Sequence, residues 1–223
     1  MLRDTRFQRF EVYPLTGALG AEVRGIDLGS FPDDATFEDL RRALFEHHVL
    51  AVRDQNLDPQ SLHKVARRFG PHSGNPIHQP MEGSEDIIKF VREPDDTGKV
   101  IGEEWHMDLA WMAKPPGITM LYGHEVPPVG GDTCFASLER AYAALSPGMK
   151  AMLEPLTAVH SGRGVYAINA VHKRLGTRSN AQASDDVEVE HPVICRHPAT
   201  GRPYVFASSV LARFKGWTEA ETK

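Results

Sequence analysis

Gly102-Glu103-Glu104-Trp105-His106-Met107-Asp108 sets an imidazole and a carboxylate two residues apart, between an aromatic and an apolar run. In an extended segment alternate side chains leave on one face, so His106 and Asp108 project together. A His-x-Asp pair on one face of a strand supplies two of the three protein ligands of a non-haem Fe(II) site. Taken alone, the pair reads equally well as a buried hydrogen-bonded couple.

Upstream of this stretch the pattern alternates between short strands and capped helices. Phe10 to Leu28 mixes short apolar runs with Gly17, Gly20 and Gly25, which predicts strands and tight turns. Asp33-Asp34 offer an N-cap to a helix with Phe37, Leu40 and Leu44 at helical spacing, ending near His47-His48. Those two histidines resemble a metal pair only in isolation, since cations in a last turn favour the helix dipole. Val49 to Val52 reads as a buried strand. Asp58-Pro59 opens a second helix with Leu62, Val65, Ala66 and Phe69 as its apolar stripe, stopped by Gly70. A loop with His72 and His78 follows, and Asp86 to Val91 is β-like.

Downstream, Gly117 to Tyr122 predicts a strand and Asp132 to Phe135 a further extended piece. Ser137 caps a helix through Leu145, which restarts after Ser146-Pro147 and runs through Leu153. Residues 161–186 are polar and weakly periodic, the pattern of a mobile excursion. Val187 to Glu190 alternates, and Pro203 to Phe206 is a further strand. Thr218-Glu219-Ala220-Glu221 has the form of a capping box. Many short strands with a few helices argue for a mainly β protein with a barrel or jelly-roll core, against a doubly wound sheet.

A chain of 223 residues buries a substantial core, and without a linker or repeat residues 1–223 read as one domain. The net charge of −5 gives no electrostatic reason for binding nucleic acid or an anionic membrane. There is no transmembrane run and no signal-peptide core, and the two cysteines, Cys134 and Cys195, form no disulfide framework. The expected location is the cytoplasm.

Trp105-His106-x-Asp108, followed by Pro115-Pro116, Glu125-Val126-Pro127 and Gly130-Gly131-Asp132-Thr133, resembles the taurine dioxygenase/TfdA-type family of Fe(II)- and 2-oxoglutarate-dependent dioxygenases. Gly20 to Leu28 is similar to the family's opening and Val52-Arg53-Asp54-Gln55 to its first core strand. Ala141 to Ser146, His191-Pro192-Val193 and His197-Pro198 are similar to later segments. The resemblance implies a double-stranded β-helix, or jelly roll, with flanking helices. It implies Fe(II) as cofactor, held by His106, Asp108 and a distal histidine. It implies 2-oxoglutarate as co-substrate, contacted by Thr133 and an arginine, and hydroxylation of a small, anionic organic substrate by O2 with release of succinate and CO2.

In the family the distal histidine and the arginine lie beyond the helix that Thr218 begins. Here no histidine follows His197 and no arginine follows Arg213. His124 leads into a turn, His160 lies in a β-like piece, and His191 and His197 read as structural. The expectation is therefore a truncated member with an incomplete jelly roll, whose exposed sheet edge favours homo-oligomers. Aligned from Phe69-Gly70, the family's substrate-contacting positions hold Asn75 and His78, a departure that argues against taurine. A solvent-exposed loop histidine is the alternative for His78. Two further alternatives are a catalytically inactive remnant serving as a metal-binding or interaction module, and a cupin-like Zn or Fe binder, against which the Gly-Gly-Asp-Thr motif speaks.

Overall fold

A computed structural model describes residues 2–72, 74–76, 78, 80–93, 102–163 and 188–222. They fall into two compact units, one of Met1–His72, Met120–Arg140 and His197–Gly201, the other of Ser73–Thr119, Ala141–Arg196 and Arg202–Lys223. The predicted excursion at 161–186 lies almost wholly outside the described residues.

In the first unit, β1 (Glu11–Pro14) and β2 (Ala21–Arg24) pair antiparallel, and β3 (Leu50–Val52) joins β2 in parallel. Gly20, at φ +86°, makes the turn between β1 and β2 and accepts a bond from Leu15 N at 2.8 Å. α1 (Asp34–His47) begins as the sequence predicts, with Asp33 accepting from Thr36 N at 2.8 Å. α2 (Pro59–Phe69) does the same through Asp58 and Ser61 N at 2.7 Å, with proline in its first turn. The two helices meet through an edge-to-face contact of Phe37 and Phe69 with centroids 5.9 Å apart. Beneath them Val12, Val23, Leu40 and Val65 are buried. β3 itself is half-buried rather than buried, and among the described residues it lies at the edge of this sheet, paired with β2. His47 does end α1, and its Nε2 lies 3.2 Å from Asp4 Oδ2.

The second unit is built on β4 (Thr157–Ser161), flanked by β5 (Glu188–Pro192) and β8 (Leu211–Phe214), both antiparallel to it. β6 (Ile194–Arg196) and β7 (Pro203–Val205) form a separate antiparallel pair. Ala158, Val159, Val193 and Phe206 are buried, and His160 is fully buried with them. Its ring packs against Phe206 and His191, at 5.2 and 5.5 Å between centroids. α3 (Leu138–Ala144) and α4 (Pro147–Leu153) fall where the caps Ser137 and Ser146 place them. Glu219–Thr222 is a single helical turn closed by the reciprocal capping box. Glu221 N donates to Thr218 Oγ1 at 3.2 Å, and Thr218 N donates to Glu221 Oε2 at 2.8 Å.

The mainly β reading with flanking helices holds for the described residues, but three expected strands do not form. Among the described residues, Asp86–Val91, Gly117–Tyr122 and Asp132–Phe135 have no ladder partner and carry no strand. Extended propensity makes a strand only where a second backbone accepts and donates the bonds. Among the described residues no helix is long and apolar enough to cross a membrane.

Candidate metal centre

The segment carrying His106 and Asp108 is irregular, so the extended geometry that would put both side chains on one face of a strand is not what brings them together; among the described residues no neighbouring backbone pairs with it. Gly102 enters it at φ +81°, a conformation that favours glycine. Residues 108–111 then turn, with Leu109 at φ 49° and Met112 N donating to Leu109 O at 2.9 Å. Ala110 and Trp111 are buried and anchor this turn in the second unit. The pair is brought together all the same.

His106 Nε2 stands 3.3 Å from Asp108 Oδ1, with both side chains open to solvent, 46% and 45% exposed. On the far side of the imidazole, Nδ1 lies 2.8 Å from the carbonyl oxygen of Glu104. A carbonyl only accepts, so Nδ1 carries the hydrogen of that bond. In the neutral ring the lone pair is then on Nε2, the atom facing Asp108. On the far side of the carboxylate, Thr119 Oγ1 donates to Oδ2 at 2.6 Å.

This donor set fits a divalent cation. One imidazole nitrogen and one carboxylate oxygen stand close enough together to be shared by one ion. Adjacent ligands about 2.1 Å from a shared ion stand roughly 3 Å apart, so the observed pair needs only a small adjustment. Imidazole with carboxylate suits iron, zinc and manganese. His106 and Asp108 are the residues that would hold it. Among the described residues no group of three or more His, Cys, Asp or Glu side chains is placed to hold a metal.

The other histidines have different surroundings. His160 is sealed among aromatic rings, and burial, then the neighbouring His191, depress its pKa to about 4. His191 Nε2 is 2.9 Å from Met112 O, and the ring of His197 lies edge-on to Phe45. His124 is exposed in a bend.

His78 corrects one reading. It is buried, 6% exposed, rather than a solvent-facing loop residue, and desolvation holds its pKa below the ordinary histidine value. Its ring meets Phe90 edge to face at 5.3 Å, and its backbone N donates to Asn75 Oδ1 at 2.9 Å. Asn75 therefore shapes the backbone that carries His78. Thr133 belongs to the first unit, exposed in the irregular stretch 131–137. Three supports of the pair escape sequence reasoning. A backbone carbonyl such as that of Glu104 leaves no sequence sign, Gly102 resembles any turn glycine, and Thr119 lies in a run that reads as a strand.

A family model described as "Taurine catabolism dioxygenase TauD, TfdA family" matches residues 11–223. An alkylsulfatase from Acinetobacter baylyi is 32% identical over 220 residues, covering 97% of this chain and 68% of that protein. An alpha-ketoglutarate-dependent sulfate ester dioxygenase from Pseudomonas putida is 30% identical over 217 residues, covering 96% of this chain and 71% of that one. The crystal structure of a taurine dioxygenase from Burkholderia xenovorans superimposes with a TM-score of 0.68 at 26% identity, over 96% of this chain and 69% of that one. The crystal structure of AAD-2 in complex with Mn(II) and N-oxalylglycine shares the fold, with a TM-score of 0.67 at 20% identity, over 96% of this chain and 75% of that one.

Proposed function

The chain belongs to the TauD/TfdA dioxygenase family, whose members use Fe(II) and 2-oxoglutarate, and from that premise we propose that it hydroxylates a small organic anion. The observation that carries the assignment to particular residues is the convergence of His106 Nε2 and Asp108 Oδ1 at 3.3 Å. In this reading His106 and Asp108 are the metal ligands, and Thr133 contacts the distal carboxylate of 2-oxoglutarate on a jelly-roll core. Fe(II) held there with 2-oxoglutarate would supply the activation of O2, with 2-oxoglutarate losing CO2 and taking one oxygen atom as succinate and the other oxygen atom being inserted into a substrate C–H bond.

The chain's own residues prepare that chemistry. Glu104 O keeps the hydrogen of His106 on Nδ1, so Nε2 is the free donor. The Asp108 carboxylate brings a negative charge to the same space, which favours a cation there. The turn at 108–111, pinned by Ala110 and Trp111, fixes the Asp108 backbone. Asn75 and His78 are the proposed substrate-side residues. A buried imidazole with a depressed pKa stays neutral at pH 7 and orients an anionic group by hydrogen bonding rather than by charge.

The names of the two relatives at 32% and 30% identity make sulfate esters the first substrates to test. Hydroxylation at the carbon bearing a sulfate ester gives an adduct that expels sulfate and leaves an aldehyde. The assay is succinate formation from 2-oxoglutarate with Fe(II) and O2, using alkyl sulfates, sulfonates and aryloxyalkanoates. Succinate should form with at least one class, with inorganic sulfate released from the esters, and His106→Ala should form none. A well-folded protein that makes no succinate overturns the function, and turnover in His106→Ala overturns the site.

A second reading, a metal-binding module without turnover, has one observation in its favour: only two ligands converge among the described residues. Metal binding without succinate would select it.

A further inference from the structure

We propose that Thr119 is a positioning residue for the His106–Asp108 pair, selecting which oxygen of Asp108 faces the imidazole. The inference rests on the reading of that pair as metal ligands. Asp108 has two chemically equivalent oxygens on a terminal torsion with a broad, nearly two-fold profile, so nothing intrinsic to the side chain chooses between them. Thr119 does. Its Oγ1 is 2.6 Å from Oδ2, the short separation of a hydroxyl donating to an ionised carboxylate. With Oδ2 occupied, Oδ1 is the oxygen turned toward Nε2, 3.3 Å away.

The two donors are thus held from opposite sides. The Glu104 carbonyl stands behind the imidazole at 2.8 Å and the Thr119 hydroxyl behind the carboxylate. Each bond is made by the atom that faces away from the shared space, so neither competes with an incoming cation. Such outer partners set ring tautomer and ligand direction before the ion arrives, and less ordering remains to be done on binding. A carboxylate that binds through one oxygen also leaves open a coordination position that a chelating carboxylate would close. That matters for a centre that must admit a co-substrate as well as the protein ligands.

The bond is solvent-exposed, so its loss should be felt at the pair and not in the fold. The test is a Mn(II) titration, followed by the paramagnetic resonance signal of the free ion, on wild type, Thr119→Val, Thr119→Ala, Thr119→Ser and Asp108→Asn. Thr119→Val and Thr119→Ala should weaken Mn(II) binding about ten- to a hundredfold, while Thr119→Ser, which keeps the hydroxyl, should stay within about threefold of wild type. Thermal midpoints of the metal-free proteins should coincide, and if the valine variant folds poorly the alanine and serine variants decide the comparison. Equal affinity in wild type and both hydroxyl-free variants overturns the proposal, as does a serine variant as weak as they are. Failure of the underlying reading looks different: wild type binds no Mn(II), or Asp108→Asn binds it as tightly, and the role of Thr119 falls with it.

Discussion

Gly102 sits at φ +81°, and a Cβ built there would lie 3.3 Å from His106 Cε1. Both facts bear on the imidazole, since a methyl added at Gly102 would crowd the ring. Gly102→Ala should cost about 1–2 kcal/mol from the left-handed backbone alone, and should also push the ring off its line to Asp108. The control is Gly83→Ala, because Gly83 has φ +78° with nothing within 4 Å of the added methyl. If the contact matters, Mn(II) affinity falls in Gly102→Ala and not in Gly83→Ala, while both lose stability. Unchanged affinity in both would show that the ring tolerates the methyl.

At the scale of elements, caps decide where helices start more firmly than their apolar stripes do. Ser146 accepts from Met149 N at 3.2 Å with Pro147 in the first turn, and α4 begins there as its sequence predicts. Ser146→Ala should destabilise the protein by about 1 kcal/mol, and Ser146→Asp should restore most of it. A urea titration of the three proteins measures this, and an alanine variant as stable as wild type would show that α4 does not depend on its cap. Strands behave otherwise. Glu188–Pro192 alternates exposed and half-buried side chains as its sequence suggests, because β4 supplies the partner backbone. Gly117–Tyr122 is the more apolar and β-prone of the two, yet it forms no ladder among the described residues.

For the molecule as a whole, the second unit carries a group that ties folding to pH. His160 is fully buried, and neither ring nitrogen has a hydrogen-bond partner of good geometry among the described residues. Burial and the facing His191 lower its pKa from 6.5 to about 4, so the folded protein keeps the ring neutral. As the pH falls below 6.5 the unfolded chain takes up this proton first. Stability is therefore complete above that value and is lost progressively down to about 4. The loss reaches at most about 3.5 kcal/mol, at roughly 1.4 kcal/mol per pH unit. His160→Phe should flatten the stability profile between those limits without abolishing the loss at lower pH. There Glu22 and Glu188, whose arginine partners hold their carboxyls below the ordinary range, become protonated. Chemical denaturation from pH 7.5 to 4 checks this, and an unchanged slope in the variant would assign the dependence to other groups.

The sequence by itself determined the local events. The starts of α1, α2 and α4, the β1–β2 turn at Gly20 and the capping box at Thr218 rest on side chains within a few residues of the backbone they bond. The nearness of His106 to Asp108 was also legible, because two residues of spacing keep them neighbours, although the strand that would align them does not form, and the ordered motifs placed the chain in a dioxygenase family. Tertiary structure decided everything that needed a distant partner. It withheld strands from segments without a neighbouring backbone, and it buried His78 and His160, which look alike in sequence to the exposed His124. It also brought Thr119 across eleven positions to Asp108 Oδ2. A hydrogen bond within one turn is written in adjacent residues, whereas a ladder, a buried ring or a hydroxyl behind a carboxylate exists only once the chain has folded back on itself.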